Sequence, residues 1–298
     1  MYLITGGLGG LGLLFAKEIL QQATNGRIIL TGRSALTNEK QEVLSTLATH
    51  GTSVEYFQVD ISDHAQVSGL IPSIVGKHGQ LNGIFHCAGI ISDNFILKKT
   101  PEEFIKVLLP KVKGTYNLDM ACRNIDLDFM VLFSSDSALG SIGQADYAAA
   151  NGFMDEFAAY RNRLAAQGKQ KGHTISINWP LWQHGGMSID PAILEIKQNT
   201  TGIQPMPTQT GLRAFYLCLG HNVDQVLVTI GHSSTLPDQL PFNQTIEYTA
   251  DKKEAQIPEK TISAQIERFE PDSRHLLEKR KNSLRSNSLN CSSFRLIR

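Results

Sequence analysis

A doubly wound α/β fold, with about seven parallel strands in one sheet and helices on both faces, is what the sequence predicts. Three observations lead there. Short β-type apolar runs alternate with stretches of helical apolar spacing along residues 1–232. A glycine cluster, Thr5-Gly6-Gly7-Leu8-Gly9-Gly10-Leu11-Gly12, sits between a short apolar run and a helical pattern. The alternation stops near residue 232, where Pro237, Pro241, Pro258 and polar residues take over.

The first strand is Tyr2-Leu3-Ile4, and Leu13 to Leu20 carry apolar positions at helical spacing. Strand, glycine turn and helix in that order form a dinucleotide fingerprint. Glycines let backbone approach a pyrophosphate, and the helix N-terminus adds N–H donors and the positive end of its dipole. Further strands are expected at 27–31, 53–59, 83–86, 129–133, 174–178 and 226–230. Helices fit 10–22, 37–50, 63–77, 101–123, 147–167 and 207–220, with a further short helix near 188–198. Residues 1–232 are thus expected to form one nucleotide-binding catalytic domain. Residues 233–298 are expected to be a linker and a disordered tail, since Arg274 to Arg298 holds seven Lys or Arg and a single acid, Glu278.

Composition narrows the class. Formal net charge is zero, which gives no nucleic-acid footprint. No apolar run reaches membrane-spanning length, and the N-terminus has no basic region followed by an apolar stretch. Cys87, Cys122, Cys218 and Cys291 have neither CxxC nor metal-ligand spacing, so no metal is expected and reduced thiols in the cytoplasm are. A start one residue before a core strand points to a piece of a longer chain.

The end of the second strand separates the two nicotinamide cofactors. An Asp or Glu there bonds the ribose hydroxyls of the non-phosphorylated form. Here it reads Thr31-Gly32-Arg33-Ser34. Arg33 offers a planar fork for a 2′-phosphate and Ser34 a hydroxyl, so NADP(H) is expected. The alternative for Arg33 is an exposed loop arginine. Asp60, followed by Ile61, either accepts from an adenine amino group or caps a turn. Small Ala88 and Gly89, after His86-Cys87, would let a cofactor ribose lie against backbone.

The densest chemical run is Phe133-Ser134-Ser135-Asp136-Ser137, then Gly143-Gln144-Ala145-Asp146-Tyr147-Ala148-Ala149-Ala150-Asn151. A phenol titrates near pH ~10 and works as an acid only with a nearby cation and a hydroxyl that shares the substrate oxygen. Asn151 lies one helical turn from Tyr147.

These motifs together resemble the short-chain dehydrogenase/reductase superfamily. Most members carry Tyr-x-x-x-Lys, but the fourth position here is Asn151. That exchange resembles the ketoreductase domains of modular polyketide synthases, with Pro110-Lys111-Val112-Lys113-Gly114 and Asn178-Trp179-Pro180-Leu181-Trp182 completing the likeness over about residues 1–232. The resemblance implies reduction of a β-ketoacyl thioester on the phosphopantetheine of an acyl carrier protein. It implies Tyr147 as proton donor, a serine on the same oxygen, Lys111 lowering the tyrosine pKa, and Asn151 orienting the lysine or a water. It also implies neighbouring synthase domains, among them an N-terminal structural subdomain. The loop before Tyr147 is one residue short for the family. Counting back 13 from Tyr147 gives Ser134, and aligning on the strand end gives Ser135, which is preferred because a strand slip would flip both side chains. Ile91-Ser92-Asp93 keeps the last acid of the family's Leu-Asp-Asp, and Leu139 or Ala138 stands where tryptophan marks the opposite configuration, so a D-hydroxy product is expected. Gln183 to about Pro207 reads as a lid or as a plain surface loop. Two rivals remain: a free-standing reductase of a small ketone, and a non-catalytic nucleotide-binding module of a synthase.

Overall fold

The computed structural model describes residues 1–23, 25–47, 51–187, 194 and 204–230, and the backbone of 245–248 and 294–297. In chain order the strands are β1 Tyr2–Thr5, β2 Arg27–Gly32, β3 Ser53–Gln58, β4 Gly83–His86, β5 Phe129–Ser135, β6 His173–Trp179, β7 Gln225–Ile230, β8 Thr245–Tyr248 and β9 Phe294–Ile297. The helices are α1 Gly10–Gln22, α2 Asn38–Leu47, α3 His64–His78, α4 Pro101–Ala121, α5 Ala145–Ala166 and α6 Thr208–Leu219, with short 3-10 turns at Ile96–Lys98 and Asp136–Leu139.

One sheet runs β3-β2-β1-β4-β5-β6-β7-β9-β8. β1 to β7 are parallel, as expected. The order reverses between β1 and β4, the switch point where open α/β sheets bind ligands. Both faces are covered, so the strands read as nearly continuous apolar runs. Alternation sends Ile4, Ile28 and Leu30 to one core, with Phe15 of α1 and Phe215 of α6. It sends Leu3, Ile29, Met130 and Leu132 to the other, with Leu70 of α3, Leu118 of α4 and Met154 of α5.

Local chemistry sets the helix starts. Thr100 and Glu103 form a reciprocal capping box ahead of Pro101 in α4. Asp63 caps α3 through the N–H groups of Ala65 and Gln66.

The expected elements are found, with corrections. α5 starts at Ala145, so Tyr147 lies inside its first turn. β5 runs on to Ser135, which puts both candidate serines on a strand. The tail expected to be disordered contributes two strands: β9 pairs antiparallel with β7, and β8 with β9. The phrase Phe294-Arg295-Leu296-Ile297 supplies the strand-forming residues there. The sheet therefore has nine strands where about seven were expected. Apart from residue 194, the helix expected near 188–198 lies outside the described residues. No helix among the described residues is long and apolar enough to cross a membrane.

Candidate active site

The glycine loop packs where side chains would not fit. Gly6 has φ +64°, and a Cβ on it would lie 2.8 Å from the Ala88 Cα. A Cβ on Gly12 would lie 2.5 Å from the Gly6 carbonyl oxygen. Two loop N–H groups are already used, Gly7 on the Thr31 carbonyl and Gly9 on the Gly6 carbonyl, both at 2.9 Å. Among the described residues, no partner is seen for the N–H groups of Gly10, Leu11 and Gly12. No side chain caps α1 and its first turn holds no acid. This end of α1 therefore keeps donors and dipole available for an anion, with half-buried Leu8 beside it.

Thr5 of the loop faces inward and is fully buried. Its hydroxyl lies 2.6 Å from Nδ1 of His86, whose Nε2 lies 3.1 Å from the Pro110 carbonyl. Because a carbonyl only accepts, Nε2 carries the proton and Nδ1 accepts from Thr5. Burial holds the His86 pKa down at about 3, so the ring stays neutral. It ties the loop strand to the helix that carries Lys111.

Arg33 and Ser34 are exposed at the end of β2. Their backbone is held from β3: Gln58 Nε2 donates to the Arg33 carbonyl at 3.0 Å, and the Tyr56 hydroxyl to the Ser34 carbonyl at 2.5 Å. Among the described residues no ion pair engages Arg33. Asp60 takes the turn-capping alternative with one oxygen: Oδ1 accepts from the N–H of Ser62 at 2.9 Å and from its hydroxyl at 2.6 Å. The Ile61 side chain is buried, and its Cδ1 fills the space left by Gly114. Its side chain is thus core, which leaves only its backbone to face a cofactor. Gly89 has a second reason to be small, since a Cβ there would lie 2.9 Å from Cε of Lys111.

Lys111 projects from α4 beneath the ends of β4 and β5, only 3% exposed. Its Nζ donates to the Phe133 carbonyl at 2.7 Å, lies 3.7 Å from Met154 Sδ, and stands 5.5 Å from the centroid of the Tyr147 ring. Burial lowers its pKa to about 8, opposed by the nearby Cys87 and Asp155. The ammonium stays charged at neutral pH.

Tyr147 and Asn151 are both buried on α5. Asn151 Nδ2 donates to the Tyr147 carbonyl at 2.8 Å and to the Ser137 hydroxyl at 3.3 Å. Burial raises the Tyr147 pKa, hydrogen bonds with the Asn151 and Ser135 side chains work against it, and Asp136 and Asp93 add to the rise. The net direction is upward because loss of water dominates, and the Lys111 ammonium beside the ring also serves the Phe133 carbonyl. The phenol is protonated at neutral pH, as a proton donor needs to be.

The two serines part company. Ser134 Oγ donates to the Asn151 carbonyl at 3.3 Å and accepts from Asn178 Nδ2 at 3.1 Å. Ser135, half-buried at the strand end, accepts from the Ser137 N–H at 3.2 Å and donates to Asp136 Oδ1 at 3.1 Å, and its hydroxyl acts to lower the Tyr147 pKa. Sequence reasoning missed Asp155, which accepts from Ser176 at 2.6 Å and from Asn178 at 2.8 Å behind Lys111. Its signal was the spacing 147, 151, 155 on one helical face.

The described base of the 183–207 segment covers this site. Trp182 bridges to Met206. A Cβ on Gly10 would lie 2.4 Å from the Gly185 carbonyl carbon. Met187 Sδ lies 3.9 Å from the Tyr147 hydroxyl.

A protonated phenol, a hydroxyl and a buried ammonium beside an uncapped helix N-terminus can hold a nucleotide and protonate an oxyanion. Comparison with known proteins agrees. The KR domain family matches residues 1–184. Polyketide synthase PksN of Bacillus subtilis (strain 168) is 46% identical over 267 residues, 89% of this chain and 5% of that protein. Polyketide synthase ThaG of Burkholderia thailandensis is 37% identical over 237 residues, 79% of this chain and 4% of that protein. Among solved structures, a ketoreductase domain from the bacillaene assembly line superposes with TM-score 0.77 at 49% identity, covering 78% of this chain and 56% of that one. The chain thus spans about one twentieth of these synthases and about half of that solved chain. Fold, motif order and these similarities together place the chain in the ketoreductase domain family of polyketide synthases, within the short-chain dehydrogenase/reductase superfamily of oxidoreductases.

Proposed function

We propose that the chain is the NADPH-dependent catalytic part of a ketoreductase that reduces a β-ketoacyl thioester, carried on the phosphopantetheine arm of an acyl carrier protein, to the β-hydroxyacyl thioester. The observation that carries this reading is the meeting of Tyr147, Ser135 and Lys111 at the carboxyl ends of the central strands, next to the glycine loop. Its partners are the carrier and other synthase domains, including an N-terminal structural subdomain, in the cytoplasm.

The residues present fit a nicotinamide dinucleotide. The donors of Gly10, Leu11 and Gly12 suit its pyrophosphate, and the glycine contacts at Gly6 and Gly12 leave backbone as the cradle. Exposed Arg33 and Ser34 suit a 2′-phosphate. Asp60 keeps its second oxygen for the adenine amino group, and Ala88 lies beside the loop for the ribose. A bound reduced nicotinamide supplies the hydride.

The chain's own residues do the rest. Tyr147 gives its proton to the oxygen of the ketone as that oxygen becomes an alkoxide. Ser135 donates to the same oxygen, a positioned donor where charge develops. Lys111 places positive charge beside the ring as the phenol gives up its proton, and Asn151 holds the first turns of α5 in register. Asp93, held by Gln144 and near enough to add to the rise of the Tyr147 pKa, sets the side from which the thioester arm approaches, for a D-configured product.

The test is turnover of a simple β-keto thioester with NADPH and with NADH, followed by chiral chromatography of the product. NADPH-linked formation of the D-3-hydroxy thioester is expected. No turnover with either cofactor refutes the reduction, and a predominantly L product refutes the role given to Asp93.

A further inference from the structure

Lys99 and Asp146 form an ion pair in which both side chains are 1% exposed. Neither belongs to the proton-transfer group described above. Burying two charges is costly unless the remaining donors and acceptors are used as well. Here they are. Lys99 Nζ also donates to the Ser92 carbonyl at 2.7 Å. Asp146 Oδ1 accepts from the Tyr147 N–H at 2.9 Å, in the first turn of α5, where the helix dipole favours a carboxylate. One ammonium therefore joins the segment after β4 to the start of the helix that carries Tyr147.

Two more contacts run beside it. The Asn94 N–H donates to the Gly143 carbonyl at 2.9 Å. Gln144 Nε2 lies 3.0 Å from each oxygen of Asp93. The two segments so joined also carry exposed apolar side chains: Phe95, Ile96 and Leu97 on one, Ile142 on the other. Such a patch beside a catalytic phenol is suited to an acyl chain and its thioester arm.

We infer that Lys99 is a positioning residue: it latches segment 92–99 to the N-terminus of α5 and so fixes which face of the ketone is presented for reduction. The inference rests on the reduction proposed above. Face selection needs only a small difference between two poses, since about 1.4 kcal/mol is a tenfold product ratio. A wall that is free to shift cannot maintain that difference.

Removing one partner would leave the other charge buried and alone, so the informative variant removes both: Lys99→Met/Asp146→Asn in the full 298-residue chain. Two readouts are taken. Amide hydrogen exchange across 92–98 should quicken at least tenfold, with α1 and β5 unchanged. The enantiomer ratio from a β-keto thioester should fall at least tenfold, with NADPH affinity unchanged. Unchanged exchange at 92–98 overturns the latch. Faster exchange with an unchanged ratio overturns the face selection. A wild-type chain that does not reduce the thioester defeats the reduction and the face selection together, while exchange still decides whether the latch exists.

Discussion

Replacing Lys111 by methionine should abolish reduction and yet make the protein more stable at neutral pH. The ammonium is 3% exposed, and burial takes its pKa from 10.5 to about 8. At 1.36 kcal/mol for each tenfold, carrying that charge in the folded state costs about 3 kcal/mol at pH 7. The sign follows from proton binding. Between about pH 8 and 10.5 the unfolded chain keeps a proton that the folded chain has lost, so stability rises with pH across that window. The cost is full below pH 8 and gone above 10.5. Methionine fills similar space without charge but gives up the 2.7 Å bond to the Phe133 carbonyl, a loss of about 1 kcal/mol. The net gain at pH 7 is about 2 kcal/mol, or about 4–8 °C in Tm for a domain of this size. Denaturant midpoints of wild type and variant at pH 7 and above pH 10.5 are the assay, and the order of stability should invert between the two. A variant less stable than wild type at pH 7, or a difference that ignores pH, would mean that Lys111 is not held as a costly buried charge. In the wild type, kcat/KM should decline as pH rises through about 8, where Lys111 loses its proton.

Two further predictions concern the cofactor and the serines. Arg33→Ala should weaken NADPH binding by about 1.5–3 kcal/mol and leave NADH binding nearly unchanged, because only a 2′-phosphate engages a charged fork there; titration with both reduced cofactors checks it, and equal losses reject it. Ser135→Ala should lower kcat by about 10²–10³ with little change in stability, whereas Ser134→Ala should chiefly destabilise, by about 1 kcal/mol, by removing a buried hydroxyl that bonds the Asn151 carbonyl and Asn178; if kinetics and melts show only the Ser134 change to be damaging to turnover, the serine assignment is wrong.

Much of this architecture was legible because parallel strands covered on both faces must be apolar throughout, as Ile28-Ile29-Leu30 and Met130-Val131-Leu132 are. The glycine loop was legible because its glycines answer to sterics, which Gly6 and Gly12 show directly. What escaped depends on contacts far apart in sequence. Asp155 meets Ser176 and Asn178 from another element, and Lys99 meets Asp146 across 47 positions. The two serines could not be told apart by counting, because β5 runs two residues beyond its apolar stretch and pairs Ser135 with Trp179. Lys111 was identified only through family resemblance, and the net rise of the Tyr147 pKa was not legible because the burial that causes it is set by the fold. In the tail, β9 lies among basic residues that read as solvated, and its pairing with β7 and β8 makes Phe294–Ile297 a strand.

The proposed nicotinamide-dependent ketone reduction turns on Tyr147 as the proton donor. Tyr147→Phe keeps the buried ring and removes only the hydroxyl. Measured side by side with wild type, on a β-keto thioester and NADPH, the variant should lose at least about 10²-fold in kcat, the scale of a positioned general acid. Its affinity for NADPH should stay within about twofold. A variant that turns over near the wild-type rate would contradict the claim.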